Sequence, residues 1–194
     1  MKPSIYFIKI RDVKNPTRGE DMYGNAGIDF FVPNDLTFED IEKANEKTPI
    51  DIVRDWIDPE GPLPQVAAVD FDGRITLSPH TRVIIPTGIK AIIDPIDSML
   101  QANNKSGVAT KLGLVVGATI VDSNYTGEIH ISVINTSSTY VDITPGQKLV
   151  QFIHTPVYLT EPKEIDMDNF LVQAERRTKK CGRGENWQGS TDTK

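Results

Sequence analysis

Most of the hydrophobic patterning along this chain consists of short apolar, β-prone runs separated by polar turns. Residues 5–10 form a brief β-prone run, and residues 27–32 follow a Tyr-Gly-Asn-Ala-Gly turn. Residues 81–93 read as two apolar runs broken by Pro86 and Gly88. Residues 128–133 alternate as Glu-Ile-His-Ile-Ser-Val, the period of a half-buried strand. A further β-rich run, 148–159, is entered through a Thr144-Pro145-Gly146 turn. Many short strands with closely spaced turns predict an all-β sandwich or barrel.

Residues 34–74 interrupt that pattern. Thr37 is placed to cap a helix running to about Lys47, with Asp40 at its third position. Thr48 followed by Pro49 predicts a second helix, because proline is preorganised for the first helical position. Ile50, Val53 and Ile57 fall on one face of it, and Asp58-Pro59 ends it. The expectation is a small helical insert, ornamenting the surface of a β domain that spans residues 1–180. It is also the one place where a protein partner is expected to dock. The last stretch is charged in Glu175-Arg-Arg-Thr-Lys-Lys. From 181 to 194 it becomes polar and glycine-bearing around Trp187, a composition that predicts a mobile C-terminal tail.

Composition narrows the function classes. The chain has 194 residues, 38% of them hydrophobic and 25% charged, as expected of one folded domain with room for a large insert. Its net charge of −6 gives no global basic field, which argues against nucleic acid as a partner. Cys181 is the single cysteine, so neither an intrachain disulfide framework nor a cysteine-rich zinc site is expected. His80, His130 and His154 show no H-x-x-x-H pair. The first ten residues are too interrupted for a signal peptide or a membrane span, and the expected setting is a reducing compartment, the cytoplasm.

A few residues carry candidate chemistry. Asn103-Asn-Lys-Ser-Gly-Val-Ala offers a cation, a hydroxyl and a glycine in one turn, which suits a phosphate as well as it suits an ordinary turn. Asp122 follows an apolar pair and precedes Ser-Asn-Tyr-Thr-Gly; it reads as a proton acceptor for water or as an Asx-turn residue. Tyr125 reads as a platform for a base or sugar, or as a core aromatic. Asp29 is a charge inside an apolar strand, which demands a partner: a structural ion pair or a site.

Taken in order, these pieces resemble the trimeric dUTPase family over most of the chain outside 34–74. Ala26-Gly-Ile-Asp29 looks like the first motif and Lys105-Ser-Gly-Val-Ala the second. Residues 117–128, with Val121-Asp-Ser-Asn-Tyr-Thr-Gly-Glu, look like the third, and Gly146-Gln-Lys-Leu-Val-Gln151 the fourth. Arg183-Gly-Glu-Asn-Trp-Gln-Gly-Ser-Thr191 looks like the fifth. The resemblance implies a jelly-roll-like β fold assembled as a homotrimer, with each active site built from several chains. It implies hydrolysis of dUTP to dUMP and pyrophosphate, with Mg2+ held chiefly by the triphosphate. Asp122 would activate the water that attacks the α-phosphorus. Lys105, Ser106 and Gly107 would contact phosphates, supported by Gln151, with Asp29 as a supporting carboxylate. Ala118, Thr119 and Ile120 would read the uracil edge from a narrow hairpin, and Tyr125 would pack under the deoxyribose.

In the fifth motif, Arg183, Gly189, Ser190 and Thr191 would close over the phosphates. An ungapped match puts Gln188 at the base-stacking position, whereas the need for an aromatic ring puts Trp187 there. Three departures from the family pattern are Lys105 in place of Arg, Asn124 in place of Asp, and Asn-Trp-Gln-Gly in the tail. Two rivals share the fold. A dCTP deaminase needs a glutamate in the strand after the third motif, where Ser132 stands. A nucleotide-sensing regulator would use the 34–74 insert to hold its partner.

Overall fold

A computed structural model of the chain describes residues 2–19, 24–48, 50–54 and 66–181. Residues Met1–Tyr158 form one compact unit, and Leu159–Lys194 a second.

In the first unit the strands are β1 (Ser4–Lys9), β2 (Ile28–Phe31), β3 (Asp51–Arg54), β4 (Val66–Val69), β5 (Ile75–Leu77), β6 (Arg82–Asp94), β7 (Ser98–Asn104), β8 (Leu114–Val116), β9 (Ile120–Asp122), β10 (Glu128–Asn135), β11 (Val141–Ile143) and β12 (Lys148–Pro156). Two helices join them, α1 (Phe38–Asn45) and α2 (Ser106–Leu112). The described strands make three open four-stranded sheets, ordered β1-β6-β10-β8, β11-β5-β4-β3 and β2-β12-β7-β9. This is a jelly-roll-like β fold in which no sheet closes into a barrel.

The core lies where the inward positions of the sheets meet. On β10 Ile129, Ile131 and Val133 alternate inward, and on β6 Val83, Ile85 and Ile89 are buried with them. Phe30 of β2 and Phe152 of β12 pack in a tilted arrangement, ring centroids 4.5 Å apart and planes at 58°. Full burial of a side chain of this size contributes roughly 1.5–3 kcal/mol.

Strand β6 runs unbroken through Pro86 and Gly88, where the sequence suggests an interruption. The pairing of β1 with β6 stops at Ile89, and the Ile84 N–H turns to that same open edge. Two residues on, the imino nitrogen of Pro86 faces the edge too, so no ladder bond is lost. Gly88 takes the left-handed backbone, φ 69°, opposite a bulge in β10 between Glu128 and His130.

The stretch 34–74 is half as expected. Helix α1 has its capping box: Thr37 Oγ1 accepts from the Asp40 N–H at 3.3 Å, and Asp40 Oδ2 accepts from the Thr37 N–H at 3.1 Å. The second helix is not there. Residues 51–54 are strand β3, paired parallel to β4. Ile50 and Val53 fit a helical face and a strand equally well, and the pairing with β4 decides between them; Ile57, Asp58 and Pro59 lie outside the described residues.

Nor is the segment an ornament. Leu36, Ile41 and all four residues of β4 are buried, most of them in the main core cluster. Asn45 closes the open edge of β6: its Nδ2 donates to the Ile41 and Ile84 carbonyls, both at 2.8 Å, and its Oδ1 accepts from the Ile84 N–H at 2.9 Å.

His154 on β12 shares a 2.8 Å hydrogen bond with the buried Ser98 hydroxyl. Burial holds its pKa below the ordinary 6.5, with Asp94 opposing and Arg18 reinforcing that shift.

The second unit carries α3 (Met167–Cys181). Asp166 accepts from the Asn169 N–H at 2.8 Å and from its side-chain amide at 2.7 Å, a cap on the first turn. Glu175 and Lys179 pair one turn apart at 2.6 Å. Among the described residues, no helix is long and apolar enough to cross a membrane.

Candidate active site

Asp29 is buried on β2, 8% exposed, and its charge is met by two lysines. Lys105 pairs with Oδ1. Lys148, which opens β12, stands 3.2 Å from Oδ2. One carboxylate against two ammoniums leaves a net positive charge, the electrostatic requirement for an anion site.

Local structure explains the placement. Asp29 is the Cα partner of Gln151 on β12, and Gln151 in turn is the partner of Asn103 on β7. Lys105 follows directly from β7 as the N-cap of α2; its ammonium, which has no acceptor to offer the helix N–H groups, donates to Asp29 instead. Gln151 lies over Gly27, where any Cβ would collide with it, and donates from Nε2 to the Asn104 carbonyl at 3.0 Å.

The first turn of α2 presents Ser106 and Gly107 to solvent. A Cβ at Gly107 would meet nothing within 4 Å. The backbone there is open to close approach by a ligand.

The third-motif residues run along the other side of β7. The Val116 N–H donates to Asn104 Oδ1 at 2.7 Å, and the Ala102 N–H donates to the Thr119 carbonyl at 2.7 Å. Ile120, Val121 and Asp122 then pair with Gln101, Leu100 and Met99. Ala118, Thr119 and Ile120 are exposed. They do not sit at the tip of a paired hairpin: β8 pairs with β10 and β9 with β7, so the segment crosses between two sheets. Asp122 is exposed, and its carboxylate makes no hydrogen bond or ion pair among the described residues. The Tyr125 N–H closes a turn onto the Asp122 carbonyl at 3.0 Å. The Tyr125 ring packs on Gly127, and its hydroxyl donates to the Glu128 carbonyl at 2.8 Å.

Within one chain these residues form two groups. Asp122 is level with Met99 and Asp29 with Asn103, four residues along β7 and three strands across the sheet β2-β12-β7-β9. At standard strand spacings that is roughly 13 Å by roughly 14 Å. Asp29, Lys105 and Gln151 are together; Asp122 and Tyr125 are apart from them. Arg183, Trp187, Gln188, Gly189, Ser190 and Thr191 lie outside the described residues.

Two further residues belong to the first group without having been singled out by the sequence. Lys148 is the second cation on Asp29, and Asn104 ties Gln151 to the third-motif segment. Both lie inside motifs already visible, and their charge and amide were the available signal.

A buried carboxylate flanked by two lysines on a jelly-roll-like β fold, and on a second strand a carboxylate without a partner among the described residues, are the chemistry a nucleotide-hydrolysing β protein calls for. The comparisons make that specific. The dUTPase family model matches residues 70–184. A deoxyuridine 5'-triphosphate nucleotidohydrolase of Bdellovibrio bacteriovorus is 35% identical over 127 residues, 60% of this chain and 83% of that protein. One from Picosynechococcus is 33% identical over 94 residues, 47% of this chain and 66% of that one. A solved mutant of the phage 80alpha dUTPase shares the fold with a TM-score of 0.64 at 16% identity, covering 98% of this chain and all of the other. The chain belongs to the dUTPase family, the dUTP diphosphatases.

Proposed function

We propose that the chain hydrolyses dUTP to dUMP and pyrophosphate by in-line attack of water at the α-phosphorus, as a homotrimer whose sites are shared between chains. The observation that carries this reading is the separation of the two groups described above. The cationic Asp29–Lys105–Lys148 group suits the phosphates, and Asp122 suits the water, but one chain holds them too far apart to serve one triphosphate. A second chain supplying the missing half resolves this. An apolar face for self-association is available: Tyr6 and Ile8 on β1 and Ile92 on β6 are each 61% exposed, and Tyr6 and Ile92 are Cα partners.

In this reading Lys105 and the Ser106 and Gly107 amides bind the phosphates, and Gln151 holds that turn through Asn104. Electrostatic stabilisation of this kind supplies much of phosphoryl-transfer catalysis. Asp122, whose carboxylate has no partner among the described residues, accepts the proton of the attacking water, an effect worth about 10²–10⁴-fold. Ala118, Thr119 and Ile120 meet the uracil edge and Tyr125 the deoxyribose. Arg183, Ser190 and Thr191 close over the phosphates, with Trp187 or Gln188 against the base.

The donor set fits a metal carried by the substrate. The cluster around Asp29 is cationic, and no group of three or more His, Cys, Asp or Glu side chains that could hold a metal occurs among the described residues. Mg2+, when bound to the triphosphate, spreads its charge. A solved phage phi11 dUTPase, 16% identical to this chain, is described with a structural Mg(II) ion. Cytoplasmic residence accords with this substrate. A protein partner on residues 34–74 is a secondary proposal, supported by Phe71, 97% exposed at the β4–β5 turn.

Refolding Asp122→Asn and Lys105→Met chains together tests the shared site. Each variant alone is inactive, and hybrid trimers contain some sites with both groups intact, so activity returns. Verified hybrids without activity would overturn the arrangement.

A further inference from the structure

The bulge in β10 leaves an unusual set of contacts at Glu128. Its carbonyl accepts from the Tyr125 hydroxyl and from His130 Nδ1, each at 2.8 Å. Its carboxylate turns back to do the work the ladder has lost. Oε1 accepts from the Gly88 N–H at 2.8 Å and from Arg11 Nε at 3.1 Å. Arg11 in turn reaches Asp40 Oδ1 from NH2 at 2.9 Å. Asp40 is the capping-box residue of α1, so its position is fixed by the helix. The three side chains are largely shielded, with 20%, 14% and 24% exposure for Arg11, Glu128 and Asp40.

Space enforces the same arrangement. Gly88 has φ 69°, and a Cβ there would stand 2.8 Å from the Arg11 Cβ. A Cβ at Gly127 would stand 2.5 Å from the Tyr125 hydroxyl. Both glycines are what allow Arg11 and Tyr125 to approach. Burial pushes the Asp40 pKa up, but hydrogen bonds from Arg11 and Thr37 outweigh it and hold the carboxyl below its ordinary value. The contacts run unbroken from α1 to Tyr125.

We propose that Glu128 is a positioning residue for substrate selectivity: pinned by Arg11 and Asp40, it fixes the Tyr125 ring and so sets discrimination between deoxyribo- and ribonucleoside triphosphates. This rests on the reading of Tyr125 as the sugar-facing group. It also gives the 34–74 segment a role in the site, through Asp40, that its place outside the resemblance conceals. Tyr125 lies on an exposed turn, 44% accessible, and among the described residues only the Glu128 carbonyl holds its hydroxyl. Loosening the bulge lets the ring sample other rotamers, and a ring that moves no longer excludes a 2′-hydroxyl.

The test measures kcat and KM for dUTP and UTP with the full-length trimer, its folding checked by thermal melting. The variants are Tyr125→Ala, Tyr125→Phe, Glu128→Ala, Arg11→Ala and Arg11→Lys. Tyr125→Phe and Glu128→Ala are each expected to lower the dUTP:UTP ratio of kcat/KM by about tenfold, the range for one positioned hydrogen bond. The loss sits in KM more than in kcat, and the double variant is no worse than either single one. Arg11→Ala follows Glu128→Ala, and Arg11→Lys recovers part of the ratio. If Tyr125→Ala leaves the ratio unchanged, the sugar-facing reading fails and the proposal with it. If Tyr125→Ala lowers the ratio but folded Glu128→Ala does not, or if the two losses add, Glu128 does not act through Tyr125 and the proposal alone is overturned.

Discussion

Replacing Gly107 by alanine separates stability from binding at a single methyl group. Gly107 is the second residue of α2, exposed, with no left-handed backbone, and an added Cβ meets nothing within 4 Å. The folded protein gives the methyl no reason to strain. Alanine is better than glycine in a helix by up to about 1 kcal/mol, and it restricts the unfolded chain as well. At this chain length a gain of about 0.5–1 kcal/mol raises the melting temperature by roughly 1–4 °C. Substrate binding moves the other way. A phosphate seated against the Gly107 backbone meets the new methyl, and overpacking costs about 1–3 kcal/mol, a roughly 5- to 150-fold rise in KM. Differential scanning calorimetry and a pyrophosphatase-coupled phosphate assay on the same preparation give both numbers. A higher melting temperature with an unchanged KM would show that the phosphates do not approach Gly107. A lower melting temperature would refute the open geometry itself.

Asp122→Asn is expected to lower kcat by about 10²–10⁴-fold while a non-hydrolysable dUTP analogue binds with its parent affinity by calorimetry. Asn45→Ala strands the Ile84 N–H and carbonyl at the β6 edge and is expected to destabilise the fold by about 1–3 kcal/mol in urea titration, with KM unaffected in the folded fraction. His154, with its folded pKa below 6.5, binds a proton more readily when unfolded; stability is therefore full above about pH 6.5 and falls as the pH drops from there to the folded pKa. His154→Gln should flatten that part of the melting-temperature profile. Asp40, lowered from 3.8, contributes in a different window: its share is present above pH 3.8 and lost as the pH falls through the folded value.

The strands that sequence made legible are those with enough residues to show a period. Strands β1, β10 and β12 are six to nine residues long, and β10 alternates throughout, with Ile129, Ile131, Val133 and Asn135 buried. Strands β5, β8, β9 and β11 have three residues each, too few for any period to appear. Strand β3 was hidden because its partner β4 is remote from any local signal. Helix α3 was masked by its charge, although Met167, Phe170, Leu171 and Ala174 already had helical spacing. The site divides in the same way. Lys105, Ser106, Gly107, Asp122 and Gln151 lie in contiguous motifs. Asp29 announced its need for a cation, and the fold supplied two. Arg11 gave no signal and Asp40 only that of a helix cap, because their meeting with Glu128 depends on bringing together three distant segments and on a bulge that no local pattern marks.

The central claim is that dUTP is the substrate and is cleaved at the α-phosphorus. The direct measurement is hydrolysis of dUTP in 18O-labelled water with Mg2+, the products resolved by mass spectrometry, beside parallel rates for dCTP, dTTP and UTP. The account predicts dUMP carrying one 18O, unlabelled pyrophosphate, and turnover of dUTP far above the other three. Label in the pyrophosphate, deamination of dCTP, or tight dUTP binding without turnover would contradict it.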